Sequence, residues 1–190
     1  MEENKILKQF RESNALLEGH FILSSGLHSA NYLQCALALQ NPIDAKNYGR
    51  AIAKQFTAKN IATVAAPAIG GLVIGFAVAQ ALNARFLWTE RQNGEMTLRR
   101  GFSVNKNERV LVVEDVITTG GSVKECIQVL KNQGAEVVFG ASIVDRSDGE
   151  ADIGVQRFSL LQMKVPTYTA EDCPMCAEGS TPVKPGSREN

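Results

Sequence analysis

The sequence predicts an α/β domain: a mainly parallel sheet flanked by helices, with a small N-terminal hood. Two observations predict it. Between Ile61 and Val144, apolar runs of strand length alternate with stretches of helical periodicity. Such alternation builds a parallel sheet covered on both faces. Upstream, a Ser-Ser-Gly turn at residues 24–26 separates short apolar segments that stand apart from the alternation.

Taken in order, residues 2–18 place Ile6, Leu7, Phe10, Ala15, Leu16 and Leu17 broadly at helical spacing. Short strands are expected around 20–23 and 31–38. Asn41-Pro42 opens a helix, with Pro42 at its first position; it runs to about Lys59 and buries Ile43, Ile52 and Phe56. Ile61 to Ala66 reads as a buried strand closed by Pro67 and a small-residue turn at Gly70-Gly71. A helix through Leu82 and a strand from Ala84 to Thr89 follow. The polar stretch Glu90 to Gly101 interrupts the alternation and carries Asn93-Gly94, a hairpin signal. Arg109 to Val113 is the clearest strand, and it ends in two acids. A helix from about Gly121 to Asn132 stops at Gly134, a suitable C-cap, and a strand from Glu136 to Val144 leads to Asp145-Arg146.

The 190 residues suit one domain: hood about 1–40, core about 41–165, C-terminal tail about 166–190. Residues 181–190 are polar, contain two prolines and are expected to be loosely held. Twenty basic residues balance twenty acidic ones, which offers no footprint for nucleic acid or a membrane surface. No apolar run approaches the roughly 18–20 residues that span a bilayer, and the acidic start lacks a signal-peptide pattern. A cytoplasmic protein is expected. The four cysteines are too sparse for a disulfide framework. Cys173-Pro-Met-Cys176 has the spacing of half a zinc site or a redox motif. The histidines, His20 and His28, lie far away in sequence, so the pair is expected to be inert.

In open parallel sheets ligands bind beyond the carboxyl ends of the strands. That rule directs attention to Ala66–Gly71, Glu114–Ser122 and Asp145–Arg146. The central motif is Val110-Leu-Val-Val-Glu114-Asp115-Val116-Ile117-Thr118-Thr119-Gly120-Gly121-Ser122. Its apolar start makes a buried strand that delivers paired carboxylates into a cleft. The glycines let backbone N–H groups approach an anion, the helix N-terminus adds partial positive charge, and three hydroxyls add donors. This is a monophosphate cradle. The adjacent acids repel phosphate but suit vicinal hydroxyls or a hydrated Mg²⁺. A ribose 5-phosphate satisfies both halves. The turn is followed by no Walker A lysine, and it lacks the G-x-G-x-x-G of a dinucleotide site.

This motif resembles the PRPP-binding signature of the type I phosphoribosyltransferases. Gly19-His-Phe-Ile-Leu-Ser-Ser25-Gly26-Leu-His-Ser29 with Tyr32, Pro67-Ala68-Ile-Gly70-Gly71, and Asp145-Arg146 resemble the orotate-using branch of that family. The likeness covers roughly residues 15–147. It implies transfer of phosphoribose from PRPP to orotate, giving orotidine 5′-monophosphate and pyrophosphate in pyrimidine biosynthesis. Mg²⁺ would be held mainly by PRPP.

The resemblance also assigns roles. Ser25, Gly26, Tyr32 and Leu33 fall where the hood meets the pyrimidine; Thr118 and Arg146 fall where orotate is held. Arginine suits that task because its fork pairs with a carboxylate bidentately. Ala66 to Gly71, with Ala68 and Gly70, falls where pyrophosphate meets backbone amides, and Glu114 and Asp115 hold the ribose end.

Arg91 aligns with a loop lysine that reaches the leaving group. Two departures stand out: Ser24 and Gly70 occupy positions where better-known members carry lysine. The loop Thr89–Phe102 has neither histidine nor lysine, and is similar to a branch with an E-R-x-x-G-x-M-x-L-R-R-G-F pattern. Arg99 and Arg100 are candidates for compensating charge. A homodimer with shared active sites is implied. The rival readings are a transferase for a purine or another base, and a PRPP-sensing regulator that binds nucleic acid.

Overall fold

The computed structural model describes residues 3–23 and 25–185. Ser24, the hood lysine position, and residues 186–190 lie outside them. The core alternation forms as expected. β3 (Thr63–Pro67), α4 (Gly71–Leu82), β4 (Arg85–Gln92), β6 (Arg109–Ile117), α5 (Gly121–Asn132) and β7 (Glu136–Asp145) follow one another, with the hairpin strand β5 (Glu95–Leu98) between β4 and β6. The sheet order is β5-β4-β3-β6-β7-β8. All neighbours are parallel except β4 and β5. β6 shows why both faces need cover: Leu111 and Val113 pack on the side of α3 (Pro42–Ala53) and α4, whereas Val110 and Val112 pack on the side of α5. A continuous apolar run buries two alternating faces in this way.

The Asn93-Gly94 turn is a two-residue connection, with φ of 52° and 88°. Positive φ at both positions is what a type I′ hairpin requires. Arg99 and Arg100 approach Glu90 at 3.8 and 2.9 Å, and Arg100 lies 5.9 Å from the Trp88 ring.

Several expectations are corrected. The N-terminal helix α1 (Glu3–Glu12) is shorter than 2–18, and β1 (Leu16–Ile22) begins where it was expected to end. β2 (His28–Leu33) pairs antiparallel with β1, but Cys35–Leu39 forms helix α2 instead of extending a strand. Cys-Ala-Leu-Ala-Leu is a short continuous apolar run that suits a buried strand as well as a helix, and alanine and leucine are the strongest helix formers. α3 (Pro42–Ala53) stops short of Lys59 and leaves Ile43 exposed, while Ile52 and Phe56 are buried. β8 (Arg157–Gln162) completes the sheet edge; its Arg-Phe-Ser-Leu-Leu-Gln lacks clean alternation. α6 (Pro174–Ala177) caps the Cys pair.

The C-terminal tail is tied down more than its composition predicts. Tyr168 exchanges two backbone hydrogen bonds with His28, and Val183 bridges β1 through Ile22 and His20. That pairing brings Cys173 and Cys176 to His20 and His28. The Cys pair is therefore not remote from the histidines, as their distance in sequence had suggested: strand pairing erases that distance.

α3 and α4 cross at Gly49, where a Cβ would stand 2.6 Å from the Ala77 Cβ and 2.8 Å from its carbonyl oxygen. In an open helix, Gly→Ala gains about 1 kcal/mol of propensity. Here overpacking, which costs typically about 1–3 kcal/mol, is expected to win. Gly49→Ala should lower the urea midpoint without changing the slope. A raised midpoint would show that the helices do not meet this closely.

Candidate functional site

The cleft arises where the sheet comes apart. β3 pairs with β6 only from Thr63↔Val110 to Ala65↔Val112, whereas β6 stays paired with β7 to Ile117↔Asp145. The two acids therefore lie inside β6, not beyond its end as the sequence suggested. Their strand is held on one side and open on the other. The β3–α4 turn borders that gap. A Cβ on Gly70 would come within 2.8 Å of Asp115 Oδ1, and one on Gly71 within 3.0 Å of Glu114 Oε1. Small residues at this turn let backbone approach the carboxylates. Ala68 donates its N–H to the Thr89 carbonyl, and the Ala68–Ile69 peptide is cis.

Glu114 is buried and Asp115 half-buried, and neither forms an ion pair among the described residues. The Val116 N–H donates to Asp115 Oδ1 at 2.8 Å, and the Asp115 N–H to Glu114 Oε1 at 3.2 Å. Burial pushes the Glu114 carboxyl well above the usual range, and the neighbouring Asp115 carboxylate adds to it. Burial raises Asp115 as well. Desolvation and like charge both favour a proton on such a pair, so a cation or hydroxyl donors would be welcome there.

Thr118 and Thr119 are exposed at the strand end, and Gly120 begins α5 with φ of 78°. Thr118 to Ser122 wrap a small cavity of about 70 Å³ together with Glu114, Val116 and Ile117. Gly120 has a structural reason beside the one read in the sequence. A Cβ there would meet Ile153 Cγ2 at 2.7 Å. Its smallness therefore serves packing beneath the loop, and its positive φ serves the turn.

Above the strand ends, a larger cleft of about 880 Å³ is lined by hood residues Ser25, Tyr32 and Leu33 together with Thr118, Thr119 and Arg146. Gly26, with φ of 83°, turns the hairpin and does not line the cleft. Val165, Thr167 and Lys184 bring the C-terminal segment to the same cleft, a contribution no sequence signal announced. Arg146 is the cleft's distinctive charge. Its Nε is buried with no hydrogen-bond partner among the described residues, and burial lowers its pKa. The preceding Asp145 is engaged elsewhere, 3.0 Å from Arg157 Nε and bonded to Ser147. An unpartnered guanidinium in a cleft calls for an anion. Arg91 is not brought to this cleft. It pairs with Glu125 on α5 at 2.7 Å and donates to the Gly94 carbonyl.

The comparisons agree with this geometry. The family described as Phosphoribosyl transferase domain matches residues 38–164. A protein of Caldanaerobacter subterraneus subsp. tengcongensis named orotate phosphoribosyltransferase is 48% identical over 189 residues, covering 100% of both chains. One of that name from Thermotoga maritima is 50% identical over 184 residues, covering 96% of this chain and 98% of its own. Among solved structures, the orotate phosphoribosyltransferase of Aeropyrum pernix superimposes with a TM-score of 0.68 at 27% identity, covering 83% of this chain and 93% of that one. With a cradle at the end of β6, paired acids inside it and full-length likeness of this degree, the chain belongs to the phosphoribosyltransferase family.

Proposed function

We propose that this chain is an orotate phosphoribosyltransferase of pyrimidine biosynthesis, converting orotate and PRPP to orotidine 5′-monophosphate and pyrophosphate. Arg146 is the observation that carries the choice of base. A guanidinium with a buried Nε that has no partner among the described residues, facing a cleft shared by hood and phosphate loop, suits a base that bears a carboxylate. The names of the full-length relatives point the same way.

In this reading Thr118 to Ser122 hold the 5-phosphate through backbone N–H groups and hydroxyls. Glu114 and Asp115 accept from the ribose hydroxyls. The β3–α4 turn, with Ala68 and Gly70, receives pyrophosphate. Ser25 and Tyr32 frame the pyrimidine, on a hairpin that Gly26 turns, with Thr118 and Arg146 opposite. The chemistry asks for orientation and charge stabilisation more than covalent help. The buried acids, free of cationic partners among the described residues, fit the Mg²⁺ that this family generally uses with PRPP. When bound, the ion supplies Lewis-acid stabilisation of the departing pyrophosphate. No helix among the described residues is long and apolar enough to cross a membrane, which accords with a cytoplasmic enzyme.

The test is to supply PRPP and Mg²⁺ with orotate, uracil or purines separately and to follow which base disappears. Consumption of orotate alone is expected; equal use of uracil, or preference for a purine, would overturn the reading. Arg146→Ala should raise KM for orotate about ten- to hundredfold, as expected for a lost charge-assisted contact, and leave PRPP affinity unchanged. Equal losses for both substrates would mean that Arg146 does not select the base.

The reading includes a homodimer with shared sites. Arg91 sits on the β4–β5 hairpin, away from the cleft of its own chain. Ile69, Val73 and Phe76, 83%, 48% and 60% exposed, give the turn and α4 beside that cleft an apolar face for a second copy. Arg91→Ala and Asp115→Asn homodimers should each be nearly inactive. Refolded together in equal amounts, half the dimers are mixed and each has one intact site, so about a quarter of wild-type activity returns by two-fold symmetry. Verified subunit exchange without recovery would place Arg91 on its own subunit's site.

A further inference from the structure

Where the hood meets the C-terminal segment, four side chains that the proposed reaction does not use converge on one point. His20 and His28 come from β1 and β2, and Cys173 and Cys176 from the C-terminal segment. Their ligand atoms all lie within 4.8 Å of one another. His20, His28 and Cys173 are buried, and Cys176 partly so.

The nitrogen-to-sulfur distances have the dimensions of a metal site, and a small parting of the two rings completes it. With Zn–N bonds of about 2.0–2.1 Å and Zn–S bonds of about 2.3 Å, a tetrahedron separates two nitrogens by about 3.4 Å and a nitrogen from a sulfur by about 3.6 Å. Here His20 Nε2 stands 2.9 Å from His28 Nδ1 and 3.5 and 3.8 Å from Cys173 and Cys176 Sγ. Cys176 Sγ lies 3.3 Å from His28 Nδ1.

Ordinary hydrogen bonding does not account for this arrangement. A ring nitrogen offers one proton or one lone pair, yet Nε2 of His20 faces three polar atoms at once. The other ring nitrogen of His20 is 3.1 Å from the Ser180 carbonyl oxygen. As a donor to that carbonyl, Nδ1 carries the proton and turns the Nε2 lone pair inward. Metal-bound histidines are commonly held in this way. Cys173 is the N-cap of α6 and Cys176 lies within its single turn, with Pro174 at the start, so a two-residue spacer presents both sulfurs to one side.

We propose that His20, His28, Cys173 and Cys176 form a tetrahedral zinc site that staples the C-terminal segment to the hood. Two thiolates and two neutral imidazoles are a set that zinc takes readily, and two thiolates neutralise its charge, so the centre tolerates burial. Four protein ligands fill the coordination sphere, which marks the site as structural. Its mechanical role follows from its neighbours. The flanking backbone is tied to the same hairpin at Tyr168 and Val183, and the segment it anchors brings Val165, Thr167 and Lys184 to the large cleft. The staple thus holds one wall of the base pocket against the hood that forms another.

The test uses the full chain, purified free of affinity-tag histidines under reducing conditions. Elemental analysis should find about one zinc per chain, as a closed four-ligand site requires. Exchange for cobalt should give thiolate-to-metal charge-transfer bands and the intense visible bands of a tetrahedral ion. Cys176→Ser should weaken zinc affinity by more than about tenfold, since loss of even an outer hydrogen-bond partner costs that much. It should also lower the melting temperature and open residues 166–185 to proteolysis. Should that variant fail to fold, the wild-type zinc content and cobalt spectrum decide alone. Wild-type protein that takes up neither metal, or that carries a Cys173–Cys176 disulfide instead, overturns the proposal, as does a folded Cys173→Ser/Cys176→Ser variant that retains zinc.

Discussion

β6 keeps its hydrogen bonds to β7 as far as Ile117 but loses β3 after Val112, and the candidate site depends on that asymmetry. A strand paired on both edges would have no room for acids in its last turns. A strand paired on neither would not hold them still. With one edge fixed and the other open, Glu114 and Asp115 are rigidly placed yet face a gap. The gap is bordered by the glycines of the β3–α4 turn, where any Cβ would crowd the carboxylates. The same strand delivers the Thr118–Ser122 turn to the N-terminus of α5. Acids for a ribose and amides for its phosphate are thereby spaced by the geometry of one β–turn–α unit.

Charge in the cleft is left incomplete. The two acids are pushed toward their protonated form by burial, joined for Glu114 by its neighbour's charge, and Arg146 keeps a buried nitrogen without a partner among the described residues. Elsewhere the protein pairs its comparable charges: Asp145 with Arg157, Glu108 with Arg85, Glu90 with Arg100. Unpaired groups of both signs in one region cost stability. A ligand with hydroxyls, a bound cation and a carboxylate would satisfy all of them together. Functional sites are where such perturbed groups gather.

Much of this was legible in the sequence because its signals are local. The run Val110–Val113, the glycine turn before α5 and Asn93-Gly94 each owe their conformation to neighbours within a few residues. The misreadings share the opposite cause. Cys35–Leu39 is an apolar run too short for its periodicity to decide, and it packs as a helix against α3. Ile43 has the spacing of a buried residue, yet it faces outward from α3. Gly120 looked like a concession to phosphate alone and is also crowded by Ile153, more than thirty residues away. The His–Cys cluster was invisible because the pairing of Tyr168 and Val183 with the hood is long-range and involves backbone alone. No side-chain pattern encodes it.

A crystal structure with orotidine 5′-monophosphate bound would show how the cleft holds its ligand. The 5′-phosphate is expected on the backbone amides of Thr118 to Ser122, the ribose hydroxyls on Glu114 and Asp115, and the base carboxylate on Arg146 beneath the hood. A carboxylate turned to solvent, with Arg146 still unpartnered, would contradict that arrangement, as would a phosphate bound away from the β6–α5 turn.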